Sequence, residues 1–436
     1  MRADLHVHSK YSKRPSQWFL QKFGCPESFT EPLDLYRIAH KRGMSLVTIT
    51  DHNCIDGALE IAHLPSTFIS EEVTAYFPED QCKLHVLVYK VNERQHEDIQ
   101  KLRKNIFELV AYLQLQNIIY AMAHPLYSVN DRLTVEYFEK CLLLFKNFEL
   151  NGDFNPESNE CLKQILSDLS REDIFRLADK HGFVPEGSEP WQKALVGGSD
   201  DHSSLNMART YTEVTDADSV DTFLQGINNC RTKVISQLSS PQNLARNLYS
   251  IAYQFYRLKL GLRDYTPKEG VLKFIDRSLR TDQGEPSGFL NKLHILRHYR
   301  RQIKISANAP DKMIELLRRE TEKLFAENPR LFAIAEDGST NCSDIEKQWF
   351  MFVREISNRV LLQFADHLLD HFSGAHLFNI FHTIGTAGGF YTLLAPYFVA
   401  YTQFTAGRDL CAELKERFQF QAQKSAGEGG RINVAH

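Results

Sequence analysis

Two histidines stand two positions apart near the start of the chain, in the stretch "DLHVHS". His6 and His8 follow an apolar beginning, and this pattern predicts a short β-strand. Because residues i and i+2 of a strand point to the same side, both imidazoles would face one way, as two ligands of a metal ion do. For this motif alone, a pair of strand histidines hydrogen-bonded within a core is the simpler interpretation. The rest of the chain has to decide between the two.

Further candidate metal ligands come directly after predicted strands. They are Asp51 and His52 after "SLVTIT", Glu72 after "STFIS", His124 after "IIYAMA", and Asp200 and His202 after "ALVGGS". His85 lies near the start of the predicted strand "KLHVLVY", so its place relative to the strand ends stays open. An α/β barrel concentrates its chemistry at the carboxyl ends of its strands. The recurrence of histidines and carboxylates at such ends therefore favours a metal cluster over unrelated core histidines.

The elements that would position these residues alternate in type along the first 231 residues. Short β-branched runs, including "NFELN" at 147–151, are separated by amphipathic stretches, as in repeated βα units. Residues 31–43 and 96–117 have the apolar periodicity of helices, the first opened by Pro32 and closed by Gly43. This alternation predicts a mostly parallel sheet, either open or closed.

The second half of the chain has a different character, and we place a domain boundary before residue 237. Residues 237–436 have few strand signals, and strong amphipathic helices are predicted over 310–330 and 344–370. The segment 372–407 contains no Asp, Glu, Lys or Arg. We interpret it as a buried helical hairpin, because its glycine pair, proline and polar residues would interrupt a membrane span. Peripheral membrane contact or a docking surface is the alternative.

Composition limits the classes of partner and compartment. The 436 residues are 43% hydrophobic and 24% charged, as in a soluble globular protein, and this length favours two domains. The net charge of −4 gives no general attraction for nucleic acid or anionic membrane. The basic stretch 258–304 is best interpreted as a solvated helical face. The eight cysteines form no CxxC pair and no apolar leader is evident, so we expect reduced thiols and a cytoplasmic protein, with membrane association as an alternative.

Six motifs together resemble one known superfamily. "DLHVHS", "TITDH", "SEEVT", "HVLVY", "AHP" and "GGSDDH", in this order, resemble the PHP (polymerase and histidinol phosphatase) superfamily. The resemblance implies an α/β fold: a distorted (β/α)7 barrel over residues 1–236, followed here by a mostly α-helical domain. More narrowly, "HSKYSKRPSQWF" and "FISEEVTAYFPED" resemble the PHP half of bacterial proteins that join such a domain to a glycosyltransferase. A glycosyltransferase is therefore a candidate partner.

The resemblance also implies a set of ligands for two or three divalent metal ions. The first ion would be held by His6, His8, Glu72 and Asp200, the second by Glu72, His85 and His124, and the third by His52 and His202. Glu71 competes with Glu72, and Asp201 with Asp200, but the family's spacing favours Glu72 and Asp200. Mixed imidazole and carboxylate ligands suit Zn²⁺, Mn²⁺ or Fe²⁺.

The chain departs from the family pattern at one place. Relatives usually carry an Asp or His four to six residues beyond the second histidine of the pair, where this chain has Ser12, Lys13 and Arg14. Either the third metal position is empty or weak, or Lys13 and Arg14 bind the phosphate of a substrate directly. We favour the second interpretation over a solvated loop.

These residues predict metal-dependent hydrolysis of a phosphoester by a hydroxide that bridges two ions. The substrate would be a small phosphorylated metabolite, a nucleotide or a phosphosugar. Arg14 would neutralise developing charge, Arg209 would contact the substrate, and Asp51, His52 or His202 would protonate the leaving group.

Two alternative functions stay open. One is a metal-stabilised binding or regulatory module that docks a glycosyltransferase or a membrane. The other is a nuclease, which would need a stacking groove beside the metal site. Only Trp18 hints at such a groove, and we expect nucleic acid to be an improbable partner.

Overall fold

Strands and helices are interspersed along the described part of residues 1–236. The computed structural model describes residues 1–13, 26–185, 187–237, 247, 250–251, 254 and 410–418. The strands are β1 Arg2–Ala3, β2 Ser70–Tyr76, β3 Lys83–Tyr89, β4 Ile119–Met122, β5 Asn147–Asn151, β6 Ala194–Gly198, β7 Thr210–Glu213 and β8 Lys233–Ser236. The helices are α1 Pro32–Lys41, α2 Asp56–Ile61, α3 Glu93–Leu102, α4 Ile106–Leu115, α5 Val135–Leu144, α6 Pro156–Asp168, α7 Arg171–His181 and α8 Val220–Asn228. The predicted α/β class is confirmed.

The larger sheet has five strands in the order β2-β3-β4-β5-β6. Strand β3 runs antiparallel to both of its neighbours, whereas β4, β5 and β6 are parallel. The reversal follows from the short connection between β2 and β3, which is too short for a crossover helix and can only form a hairpin. Because β3 alone is reversed, its amino end shares an edge with the carboxyl ends of the other four strands. His85, near the start of β3, is thereby brought to this edge.

The predicted closed barrel is not observed as one continuous sheet. Strands β1, β7 and β8 form a separate antiparallel sheet. The stretch "SLVTIT", predicted to be a strand, makes only isolated parallel contacts: Val47 bridges to Thr67, and the Thr50 N–H donates to the carbonyl of Val7 over 2.9 Å. The prediction of a mostly parallel sheet is also wrong, because β4-β5-β6 is its only parallel part among the described strands.

Of two helices predicted from the sequence, one is observed as a single helix and the other is divided in two. The helix predicted over 31–43 is α1, which begins at Pro32 and ends before Gly43, whose φ of +85° only glycine adopts freely. The helix predicted over 96–117 is divided into α3 and α4. The side chain of Asn105 accepts a hydrogen bond from the Phe107 N–H and so starts α4. Asparagine favours this capped geometry over a helix interior, which explains the break.

The largest hydrophobic core lies between the five-stranded sheet and its helices. Val86, Met122 and Phe148 from the sheet pack in one cluster with Leu109 and Leu142 from α4 and α5. The helical residues 410–418 join the same cluster; Leu410, Cys411 and Leu414 are buried in it.

Several predictions for the second half fall on residues that the structure does not describe. These are the helices over 310–330 and 344–370, the basic stretch 258–304 and the uncharged segment 372–407. Among the described residues, no helix combines the length and the apolar character needed to cross a membrane.

Candidate metal centre

His6 and His8 lie side by side in the interior. They follow β1 in the segment that is hydrogen-bonded to residues 197–201, which include the end of β6 and the residues just beyond it. Their Nε2 atoms are 3.0 Å apart, and each lies 3.3 Å from Glu72 Oε2 and 3.3 Å from Asp200 Oδ1. Both side chains are fully buried. Four candidate ligand atoms for one ion therefore converge here.

Glu72 lies within β2, and both of its carboxylate oxygens face histidines. Oε1 is 2.8 Å from His85 Nδ1 and 3.1 Å from His124 Nε2. Oε2 is 2.8 Å from His52 Nδ1, in addition to its contacts with the first pair of histidines. One carboxylate therefore connects five imidazoles that come from four separate segments of the chain. Glu71, the alternative bridging residue, points to the other face of β2, where it accepts hydrogen bonds from His96 and Gln100.

Glu27 is a candidate ligand that the sequence analysis missed. Its Oε2 lies 3.1 Å from His52 Nε2, and its Oε1 lies 3.7 Å from His202 Nε2. Burial alone would raise the pKa of Glu27, but the two imidazoles outweigh burial and lower it to about 2. Glu27 occurs in the loop sequence "CPESFT", where no local pattern marks it. A carboxylate thus lies beside His52 and His202, the two residues predicted for a third metal position.

Hydrogen bonds fix which ring nitrogen several histidines present to the centre. His6 Nδ1 lies 2.8 Å from Glu149 Oε1, and His202 Nδ1 lies 2.9 Å from the carbonyl of Asp200. His8 Nδ1 lies 3.0 Å from Ser12 Oγ. With a proton on each Nδ1, all three rings keep the Nε2 lone pair for the centre, as metal-bound histidines do.

Glu149 is a second residue that the sequence analysis missed. It is fully buried in β5, and besides facing His6 it accepts a 2.7 Å hydrogen bond from the His124 N–H. Asn151 Nδ2 also donates to it over 3.1 Å. The available signal was an acidic residue inside the otherwise apolar strand "NFELN". Glu149 therefore positions two candidate ligands, His6 and His124.

Asp51, predicted to be a proton donor, is turned away from the centre. It accepts hydrogen bonds from the Ser9 N–H over 2.7 Å and from the Ser9 and Ser12 hydroxyls over 2.6 Å and 2.7 Å. Burial raises its pKa, and these hydrogen bonds oppose the rise. Since Ser12 also faces His8, Asp51 acts on the centre by holding His8 through that hydroxyl. Its buried, fully engaged carboxylate is unsuited to protonating a leaving group.

The backbone is strained at two of the candidate ligands. His124 has a φ of +28° and Asp200 a φ of +52°, both in the left-handed region that non-glycine residues rarely adopt. They stand just beyond the ends of β4 and β6. Such strain is held in place by surrounding structure and is typical of functional sites.

The predicted substrate-binding residues have varied positions. Lys13 is exposed, with its ammonium group 5.7 Å from the centre of the Tyr11 ring. Arg209 is partly exposed beside the carboxylates of Asp153 and Asp201, and burial lowers its pKa. Arg14 and Trp18 lie outside the described residues. Among the described members of this set, Arg209 lies beside carboxylates on the loops after β5 and β6, whereas Lys13 lies beside Tyr11 on the loop after His8.

Burial and neighbouring charges shift the pKa values of the candidate ligands in both directions. Burial opposes charge on Glu72 and Asp200, but the surrounding histidines outweigh it and hold both pKa values well below the ordinary range. Burial lowers the pKa of His8 to about 3 and that of His85 to about 4. The pKa values of His6 and His52 are raised well above the ordinary value, because the neighbouring carboxylates outweigh burial. Metal binding would therefore release protons from these two imidazoles.

The donor set fits divalent metal ions. Three groups of ligand atoms each lie within 4.8 Å of one another: His6, His8 and Glu72; His52, Glu72 and His85; and His8, His52 and His202. Among the described residues, Glu72 Oε2 and His202 Nε2 receive no hydrogen bond despite being buried. Unshared lone pairs that converge in a buried site are costly unless a cation accepts them. Imidazole with carboxylate is a common ligand combination for zinc and related metals.

The chain has limited similarity to known proteins. No protein-family model matches the chain. An uncharacterized protein of Methanocaldococcus jannaschii is 45% identical over 73 residues, which are 17% of this chain and 41% of that relative.

Three solved structures resemble the chain at low identity. A candidate metal-dependent phosphoesterase from Bifidobacterium adolescentis is 14% identical, with a TM-score of 0.31, over 52% of this chain and 96% of that one. An amidohydrolase from Chromobacterium violaceum has the same identity, 14%, and a TM-score of 0.31, over 53% and 97% of the two chains. A lesion-specific endonuclease from Pyrococcus furiosus is 16% identical, with a TM-score of 0.31, over 54% and 58%. The activities named here are those of the three neighbours.

Proposed function

We propose that this chain hydrolyses a phosphoester by means of two or three divalent metal ions. The observation that supports the proposal most is the position of Glu72, whose two oxygens face His85 and His124 on one side and His52 on the other. A shared carboxylate of this kind is suited to holding two ions close together. When bound, such ions supply a water that is ionised near neutral pH and charge that stabilises both the attacking and the leaving oxygen.

The residues assigned to each ion follow the contacts of the centre. The first position has His6, His8, Glu72 and Asp200; the second has Glu72, His85 and His124; the third has His52, His202 and Glu27. The PHP-like motifs support the first two sets. Glu27 is our addition to the third set and takes the place of the carboxylate or histidine that residues 12–14 do not supply. Zn²⁺, Mn²⁺ and Fe²⁺ all suit these ligands.

The chain's own residues would handle the proton and the substrate. His52 and His202 are more exposed than the inner histidines and can protonate a leaving oxygen whenever they are not occupied as ligands. Arg209 is suited to contact the substrate, because it stands on the loop that follows Asp200 and His202. The substrate class is a small phosphorylated metabolite, a nucleotide or a phosphosugar.

The test compares two neighbouring carboxylates of β2. Glu72→Ala removes the shared ligand, so metal content should fall and turnover of phosphomonoesters and phosphodiesters should drop by at least about 100-fold. Glu71→Gln is the matched control. Glu71 is also buried but faces His96 and Gln100, so this variant should keep its metal and its turnover. Metal analysis of the purified proteins and a panel of phosphoesters supply both measurements.

One result would favour another function. Equal, near-zero turnover in the wild type and Glu72→Ala, with full metal occupancy of the wild type, would favour the binding or regulatory module. Docking of a glycosyltransferase or a membrane would then be the activity to examine.

A further inference from the structure

Beyond β8 the chain contains residues that contact loops of the first half. Asn247, Ser250, Ile251 and Gln254 have helical backbone, and their spacing corresponds to one face of a helix. Asn247, Ser250 and Ile251 are buried, with exposed fractions of 2%, 0% and 3%. A buried amide needs hydrogen-bond partners, and those of Asn247 lie on the first half.

The side chain of Asn247 bridges the loops that follow β5 and β6. Its Oδ1 accepts a hydrogen bond from the Ser203 hydroxyl over 2.7 Å. Its Nδ2 lies 3.2 Å and 3.5 Å from the two carboxylate oxygens of Asp153. One side chain therefore joins the loop of Asp153 to the loop that carries the candidate ligands Asp200 and His202.

Both partners of the bridging amide lead to Asp200. Ser203 Oγ also lies 3.0 Å from Oδ1 of Asp201, the next residue in the chain after Asp200. On the other side, the Asp153 N–H donates to Asn151 Oδ1 over 2.8 Å, and Asn151 Nδ2 donates to Asp200 Oδ2 over 3.0 Å. The bridge thus reaches this candidate ligand by two routes.

The loop after β6 is strained at three positions. Asp200, Ser204 and Ala208 have φ values of +52°, +67° and +60°, all in the left-handed region that non-glycine residues rarely adopt. Such conformations persist where the surrounding structure holds them. The position of the ligands on this loop therefore depends on what contacts the loop.

The ends and the middle of this loop are held by different side chains. The Asp4 carboxylate accepts hydrogen bonds from the Ser199 N–H over 2.8 Å and from the Ala208 N–H over 2.6 Å, at the two ends. Asn247 contacts the middle of the loop from outside, at Ser203. Support for the strained loop therefore comes in part from a residue beyond β8.

We infer that Asn247 is a positioning residue of the metal centre, which places Asp200 and His202 by bridging the two loops. This inference rests on the proposed function, because it concerns the same centre. It adds that the chain beyond β8, which we predict from the sequence to be a second domain, is needed for full metal affinity.

Titration of the full chain with Zn²⁺ against a competing chelator tests the inference. Asn247→Ala removes both contacts of the bridge and should weaken Zn²⁺ binding about tenfold, as expected for a residue that holds a metal ligand in place. Ser203→Ala breaks the same bridge at its other end. The double variant Ser203→Ala/Asn247→Ala should bind Zn²⁺ within about twofold of Ser203→Ala, because the bridge is already broken.

Gln254→Ala is the matched control. Gln254 lies on the same helical face and donates to the Ser250 hydroxyl over 3.2 Å, so its removal should leave Zn²⁺ affinity unchanged. Hydrogen exchange supplies a second measurement. The amides of residues 199–208 should exchange faster in Asn247→Ala, whereas those of β3 should keep their wild-type rates; a general loss of stability would raise exchange in both regions.

An exchanged pair decides the matter if Asn247→Ala does not fold. Asp153→Asn combined with Asn247→Asp again sets a carboxylate against an amide and keeps an oxygen for the Ser203 hydroxyl. This exchanged variant should bind Zn²⁺ within about twofold of the wild type. A loss of about tenfold or more would count against the bridge.

The outcomes distinguish this inference from the proposed function. Unchanged Zn²⁺ affinity in Asn247→Ala, or losses that multiply in Ser203→Ala/Asn247→Ala, would overturn the role of Asn247 even if the wild type hydrolyses phosphoesters. Weaker Zn²⁺ binding by Asn247→Ala, together with a wild type that hydrolyses no phosphoester, would support that role and count against the hydrolase. A wild type that binds no Zn²⁺ would overturn both.

Discussion

The orientation of single side chains decides which atoms the metal centre offers. Glu149, Ser12 and the carbonyl of Asp200 each engage the Nδ1 atom of one histidine and so leave its Nε2 facing inward. Three unrelated partners therefore orient these rings in the same sense, with Nδ1 turned outward and Nε2 turned toward the centre. Asp51, which supports Ser12, belongs to this outer layer.

Glu27→Gln tests the third metal position at the scale of one residue. The amide that replaces the carboxylate is a weaker ligand and carries no charge, so the variant should lose part of its metal and about 10- to 100-fold of its turnover. Metal content and turnover are measured together. Glu31→Gln is the control, because Glu31 lies in the same stretch but is exposed and pairs with Lys10. Wild-type metal content in Glu27→Gln would refute the role of Glu27.

At the scale of elements, the direction and spacing of strands bring the ligands together. The hairpin that reverses β3 brings His85 to the edge where β4 ends before His124. Strand β6 lies so close to the His6 segment that only a glycine fits at position 198. A β-carbon at Gly198 would lie 2.3 Å from the His6 Cβ and 2.6 Å from Glu149 Oε1. The close approach of β6 to the His6 segment thus fixes the positions of the His6 and Glu149 side chains.

Gly198→Ala should therefore damage the centre without removing a ligand. We expect the added methyl group to displace His6 and Glu149, lowering metal content and costing about 1–3 kcal/mol in the free energy of unfolding. Gly182→Ala is the control: its φ is +71° but nothing lies near the added carbon. That variant should lose about 1 kcal/mol of stability and keep its metal. Metal analysis and urea unfolding distinguish the two variants. Full metal content in Gly198→Ala would contradict the close-packing argument.

At the scale of the whole molecule, residues 410–418 are joined to the first half by a buried carboxylate. Glu139 on α5 contacts Lys180 and His181 at the end of α7, at 2.5 Å and 2.8 Å, and Arg417 at 3.1 Å. Burial alone would raise the pKa of Glu139, but these partners outweigh burial and lower it below its ordinary value of 4.5. One residue therefore links three helical segments that are far apart in the chain.

Glu139→Gln should lower the free energy of unfolding at neutral pH by about 2 kcal/mol, because it removes hydrogen bonds to charged groups. The pKa of Glu139 is lower in the folded protein than in the unfolded chain. The contribution of Glu139 to stability is therefore fully present above pH 4.5 and is lost as the pH falls below that value. The stability difference between wild type and variant should accordingly shrink on acidification. Urea unfolding at several pH values measures this. A difference that does not change with pH would contradict the assignment.

The sequence by itself predicted the features that depend on local patterns. The two-residue spacing of His6 and His8 places both rings on one side, and the runs at 83–89 and 147–151 become β3 and β5 with the predicted bounds. The α/β class also followed from the order of such runs. These properties could be predicted because strand periodicity and turn residues act over a few neighbouring positions.

Only the tertiary structure decided which distant segments meet. It brought Glu27 between His52 and His202, turned Asp51 toward Ser12, and reversed β3 so that the sheet became mixed. The sequence around Glu27 has no pattern that points to a histidine elsewhere in the chain. Contacts of this kind arise from the packing of whole strands and loops, and packing depends on all of the segments together rather than on any one of them.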